Sequence, residues 1–170
     1  MKNKETYLAL GIITIAVIAR FLPHIPNFVP ITAIAIFAGR YFSVRWSYVI
    51  PISAMIISDF FLGFSQVTIF VYLGLLGAVL LGNYLKKNST SQNILLTTLG
   101  ASLIFFVISN FGVWVGGWYS FTLDGLIRCY VMAIPFFRNS VAGDLFYTAI
   151  MFGAYEIISR RVWFKSVKLT

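Results

Sequence analysis

Arg20-Phe-Leu-Pro-His-Ile-Pro-Asn-Phe-Val29 is the stretch on which the fold turns, because it sets the single histidine and two prolines between two apolar runs. Tyr7 to Phe21 and Ile31 to Phe42 are too apolar for a soluble surface, and the prolines keep them from joining into one helix. The chain between them is irregular backbone at a membrane face. Such backbone survives at that depth only when buried in protein or lining a cavity, so the break marks the candidate site.

Working outward, the composition sets the class. The chain has 170 residues, 59% hydrophobic and 11% charged, with a mean hydropathy of +0.88. That leaves too little polar surface to cover a soluble globule, and several runs approach the roughly 20 apolar residues that span a bilayer. An all-α integral membrane protein is expected. A net charge of +8 would suggest nucleic acid in a soluble domain. Here the basic residues sit in short loops and at the termini, where topology accounts for them, and no nucleic-acid partner is needed. One cysteine, Cys129, excludes a disulfide within the chain, and one histidine excludes the His/Cys cluster of a structural zinc site. No metal or cofactor is expected.

Six apolar segments follow: Thr6 to Leu22, Phe28 to Phe42, Ser47 to Phe64, Gln66 to Leu85, Asn93 to Val115 and Ser140 to Ser159. The second is short for a span, so part of the proline-rich break should dip into the membrane beside it. The basic residues test the count independently. With both termini inside, Lys2, Lys4, Arg40, Arg45, Lys86, Lys87, Arg160, Arg161, Lys165 and Lys168 are cytoplasmic, and only Arg20, Arg128 and Arg138 lie outside. The amino-terminal run lacks a small-x-small cleavage site and is expected to stay as the first helix. No linker, internal repeat or low-complexity tract interrupts residues 1–170, which read as a single six-helix domain.

The outer connection between the fifth and sixth segments has its own pattern. Thr122 can cap a helix in which Leu123, Leu126, Ile127, Tyr130, Val131 and Ile134 recur at three- and four-residue steps, with Asp124, Arg128 and Cys129 on the opposite side. This spacing predicts a short interfacial helix over about 122–134. Pro135 should end it, and Asn139 or Ser140 should cap the last membrane helix.

Charges inside apolar segments are costly and are kept for a reason. Asp59 sits at a helix C-terminus, where the helix dipole disfavours it, so an ion pair with Arg20 or a direct role with a ligand explains it. Asp144 lies in the first turns of the sixth segment, where the dipole favours an acid. Glu156 is four residues from Arg160, the spacing of a surface salt bridge. Asn110 needs a partner in the bundle or in a ligand, and Trp114, Trp118 and Tyr119 form either an interfacial belt or a stacking surface. His24 and Asn27 cap turns or wall a pocket. Together Arg20, His24, Asn27, Asp59, Asn110, Trp114, Trp118, Arg128, Arg138 and Asp144 place the unexplained polarity at the outer ends of helices, as an outward pocket would. Ala35-xxx-Gly39, Gly74-xxx-Ala78 and Gly112-xxx-Gly116 permit close helix approach, within the chain or to a partner subunit.

Pro26-Asn-Phe-Val-Pro30, Ser58-Asp-Phe-Phe-Leu-Gly63, Val71-Tyr72, Phe105-Phe106, Ser109-Asn-Phe-Gly-Val-Trp114, Gly125-Leu-Ile-Arg-Cys-Tyr130, Ile134-Pro-Phe-Phe137 and Gly143-Asp-Leu145 resemble a bacterial family of small six-helix membrane proteins of unassigned function. That family is similar in turn to the substrate-binding (S) components of energy-coupling factor (ECF) transporters. The likeness implies capture of a vitamin or related micronutrient from outside, a bacterial cytoplasmic membrane, and partnership with a membrane coupling subunit and ATPases. One departure stands out: the first-helix Ala-xxx-Ala docking motif of S components is missing, since Ala9 is followed by Ile13 and Ala16 by Arg20.

No catalytic reading competes. There is no Walker loop for ATP hydrolysis. Gly63-Phe-Ser65 is a poor match to an intramembrane serine protease, because no glycine follows the serine and the only base, His24, precedes the second segment. The expectation is a non-enzymatic solute-binding membrane subunit. Arg20, Arg128 and Arg138 would attract an anionic group, Asn27 and Asn110 would hydrogen-bond it, and Trp114 and Trp118 would stack on it. A structural subunit without a ligand, or an ion- or proton-conducting protein using Asp59 and Asp144, are the alternatives.

Overall fold

The computed structural model describes the backbone of residues 2–167 and the side chains of 5–159. Six helices and no strand occur among the described residues: α1 (Lys2–Phe21), α2 (Ile31–Tyr41), α3 (Val44–Leu62), α4 (Thr68–Tyr84), α5 (Ser91–Val115) and α6 (Leu123–Val167). They run up and down. The α1–α2, α3–α4 and α5–α6 connections gather at one end, called here the loop end. The short α2–α3 and α4–α5 turns lie at the other, where the Glu5 carboxylate accepts the Ser43 N–H and Arg40 reaches Ser89.

The centre of the bundle is α2. Every residue from Ile31 to Gly39 is buried, and the helix meets all five others. Its contact with α4 is backbone on backbone. A methyl group on Gly39 would stand 2.6 Å from the Val79 carbonyl oxygen, and one on Gly82 would stand 2.4 Å from that of Ile36, so neither position admits a side chain. Gly74 likewise faces Phe105, and Gly112 faces the Phe70 ring. The small-residue motifs at Ala35, Gly39, Gly74, Ala78 and Gly112 therefore serve packing within the chain; Gly82 extends them. The half of the bundle away from the loops is filled by Ile36, Ile50, Leu75, Val79 and Leu85, all fully buried.

Outward faces are apolar as well. Leu8, Ile18, Phe60, Ile69, Leu80 and Leu103 are each more than half exposed. Two helices, Ser91–Val115 and the Leu123–Ser159 part of α6, are long and apolar enough to cross a membrane.

The outer connection departs from expectation. Thr122 does cap a helix, accepting the Gly125 N–H at 3.1 Å. That helix does not stop at Pro135 but runs on through it as α6. A proline removes one backbone bond and bends a helix; it does not end one when the residues on both sides keep packing. Here they do. Tyr130 donates to the Val107 carbonyl at 2.7 Å and stacks on Phe106, which also meets Phe137. Ser140 is thus no cap: its hydroxyl donates to Phe136 one turn back. The buried face is also not the expected one. Gly125 packs on Ser120 of the α5–α6 turn and Cys129 faces Asn110 of α5, while Leu123, Ile127 and Val131 are exposed, because the small residues allow the closest approach. The exposed Asp124 and Arg128 pair with each other at 2.7 Å. The side chains of Lys2, Lys4, Arg160, Arg161, Lys165 and Lys168 lie outside the described residues, and with them the expected Glu156–Arg160 pair.

A polar cavity at the loop end

The break at 22–30 is built onto α6. Phe28 packs its ring on Phe146 and Tyr147, at 5.7 and 5.5 Å between centroids, over Gly143. Asn139 donates its amide to the Pro26 carbonyl at 3.1 Å. Asn27 holds φ at +63°, a left-handed conformation that asparagine tolerates better than most residues. Pro30 leads directly into α2. His24 Nδ1 donates to the Leu22 carbonyl at 2.7 Å, since a carbonyl only accepts; in the neutral ring this leaves Nε2 as an acceptor.

Beneath this loop lies a cavity of about 380 Å³. Its walls come from all six helices, from the loop ends of the first four and the middle of the last two: Arg20 from α1, Ile31 and Thr32 from α2, Met55 and Asp59 from α3, Thr68 and Val71 from α4, Phe105 from α5, and Ser140 and Asp144 from α6. His24, Asn27 and Ser65 line it from the loops. No described residue of the opposite half takes part.

Two buried carboxylates face this space. Asp59 is held on both oxygens: Arg20 donates to Oδ1 at 2.6 Å and Tyr72 to Oδ2 at 2.9 Å. Arg20 also contacts the Met55 sulfur. The Arg20–Asp59 pair ties α1 to α3, and Tyr72 adds α4. Asp144 is 3% exposed and receives the Ser102 hydroxyl at 2.6 Å, with the Thr32 hydroxyl beside it. Among the described residues it has no cationic partner. One turn further along, Thr98 donates to Thr148 at 3.5 Å, so hydroxyls and a carboxylate form a short ladder between α5 and α6.

Of the ten residues expected at a site, Arg20, His24, Asn27, Asp59 and Asp144 converge on the cavity. The others do not. Asn110 donates its amide to Phe106 on its own helix, at 2.8 Å. Trp114 donates to the Ser120 carbonyl at 3.0 Å and stacks on Phe111 and Phe121, which closes the α5–α6 turn. Trp118 is 74% exposed at that turn. Arg128 is taken by Asp124, and Arg138 is exposed on the outside of α6. The reason is length. At 1.5 Å per residue, Asn110 and Trp114 lie about 7 and 13 Å beyond Phe105 along α5, and Leu123 about 26 Å beyond Ser140 along α6. The two helices project past the cavity as a hairpin and carry those side chains away from it. Tyr72, Ser102, Thr32, Met55 and Phe105 were missed. The spacing Ser140, Asp144, Thr148 beside Thr98 and Ser102 is the signal that could have found Ser102, since each set repeats at four residues.

Fold and site together define an all-helical six-helix protein with a polar cavity at one end. The chain belongs to DUF6580, a family of unknown function, whose model matches residues 1–167. No curated protein and no solved structure matches it, so the comparisons lend nothing to the likeness to S components.

Proposed function

We propose that this chain is a multi-pass subunit of the bacterial cytoplasmic membrane, with both termini inside, that binds a small solute from the outer face, in the manner of an S component, without chemical change to it. The observation that carries the reading is the cavity: about 380 Å³, roofed by a proline-stiffened loop, with two buried carboxylates on its walls. Such a volume falls within the range of small-molecule sites. The apolar outward faces support lipid as the surroundings, since soluble monomers do not expose apolar surface so continuously. A loop fixed by Pro23, Pro26 and Pro30 and pinned to α6 has little freedom left to lose on binding.

Attraction of an anionic group by Arg20, Arg128 and Arg138 together is not supported, because of the three only Arg20 reaches the cavity and it is already paired. A coupling subunit and ATPases remain the proposed partners. Their contact would not use Ala9 and Ala16, which are buried within the bundle. The test is to purify the full chain, denature it and identify released small molecules by mass spectrometry, beside a Ser140→Trp variant whose indole fills the cavity. A solute present with the parent and missing from the variant is the expected result. Identical profiles from the two would remove the reading.

A further inference from the structure

The charge of the cavity walls is not balanced. Among the described residues they carry one basic chain of the Lys or Arg type, Arg20, and two carboxylates, Asp59 and Asp144. Arg20 and Asp59 satisfy each other at 2.6 Å, and Tyr72 completes Asp59. What is left over is Asp144, 3% exposed, with hydroxyl donors and no cation among the described residues. A buried carboxylate is stabilised in its ionised form when a positive charge meets it, and among the described residues no Lys or Arg other than Arg20 lines the space.

The other walls suit what would bring that charge. Val29, Ile31, Val71 and the Phe105 ring are apolar, and an aromatic face attracts a cation. The side-chain oxygen of Asn27 accepts a hydrogen bond, and so does Nε2 of His24 when the ring is neutral. The space is more than ten times the roughly 30 Å³ share of one water, so it fits an organic molecule and far exceeds a bare ion. Resting on the solute-binding reading above, we infer that the solute carries an ammonium group or another organic cation, and that Asp144 is its anchor. Ser102 and Thr32 orient the carboxylate, and the Arg20–Asp59 pair forms an electrically closed wall opposite.

The test uses charged thiol reagents on the full-length protein in nanodiscs. Ser140→Cys, one turn from Asp144 on the cavity wall, is made in a Cys129→Ser background and treated with aminoethyl or sulfonatoethyl methanethiosulfonate. Each rate is divided by that reagent's rate with free mercaptoethanol. The ammonium reagent should react faster by about tenfold or more, and Asp144→Asn should bring the two within about twofold. Phenylethylammonium should slow labelling in the parent and phenylacetate should not, which keeps the inference testable if Asp144→Asn fails to accumulate. Equal or sulfonate-favoured rates, or equal or no protection by the two compounds, overturn the cationic solute and leave the cavity standing. No labelling by either reagent, in protein that labels readily once unfolded, overturns the solute-binding reading itself.

Discussion

Asp59 and Asp144 are buried carboxylates on two sides of one cavity, and their surroundings differ in kind. The corner around Asp59 joins α1, α3 and α4 through a guanidinium and a phenol, so the carboxylate has a cationic partner and a donor on each oxygen. The corner around Asp144 joins α5, α6 and α2 through hydroxyls alone. Hydroxyls satisfy geometry without neutralising charge. A carboxylate in a helical bundle is thus not one kind of feature: the first acts as a clasp between helices, and the second is held by hydroxyls with no cation beside it among the described residues.

The comparison predicts unequal losses. Arg20→Gln or Asp59→Asn leaves one member of a mostly buried pair alone, and each should lower stability in detergent by about 3 kcal/mol. The double variant should lose less than the sum of the two. Thermal unfolding that does not move for either single variant would dissolve the clasp. Tyr72→Phe removes one hydrogen bond to a charged oxygen and should cost about 1.5 kcal/mol, read the same way. If it costs nothing, Arg20 alone holds the corner.

On the other side, binding and stability should separate. Once a solute is recovered, Asn27→Ala should weaken its binding by about tenfold, while Asn110→Ala and Asn83→Ala, both away from the cavity, should leave the titration unchanged. A loss at Asn110 equal to that at Asn27 would bring the α5–α6 hairpin back into the site. Asp144→Asn keeps an acceptor for the Ser102 hydroxyl and removes an uncompensated charge, so its unfolding temperature should hold or rise, within about 1 kcal/mol. A fall as large as that of Asp59→Asn would make the two corners equivalent.

The smallest effect lies outside both corners. Glu5, just before the first apolar run, has its carboxyl held below the usual value of 4.5, chiefly because it accepts the Ser43 backbone N–H at 2.6 Å. A lowered folded value stabilises the protein above the unfolded pKa, and that stability is lost as pH falls through the folded one. Between neutral pH and the acid limb the parent should therefore lose slightly more stability than Glu5→Gln. Parallel curves would mean that the contact contributes nothing in solution.

The six helices were legible because length and apolarity fix them locally, and their observed bounds fall within a few residues of the expected ones except in the last. The Arg20–Asp59 pair was legible for a different reason: an acid at a helix C-terminus has no local explanation and requires a distant one. Tyr72 was not, since nothing in its own helix marks it out from the other tyrosines. The last helix failed at Pro135, where a local rule for ending helices lost to packing on both sides, and that misreading displaced Asn110, Trp114, Trp118, Arg128 and Arg138. Their polarity is real, but their height along α5 and α6 depends on helix lengths that spacing alone did not set.

The enclosed helix α2 has a consequence for how the protein is made. Eleven residues rise only about 16 Å, half of a hydrocarbon core of roughly 30 Å, so α2 is a weak signal for insertion on its own. In the membrane setting proposed above, it has to be carried in by its neighbours. Its seat against Gly82 does not exist until α4 has emerged, 43 residues after Gly39 by their numbering. Biogenesis should therefore wait on α4, and a chain interrupted before Gly82 should be handled by quality-control proteases as unassembled. Any residue larger than glycine at position 39 or 82 would be expected to reproduce that fate in the full-length chain.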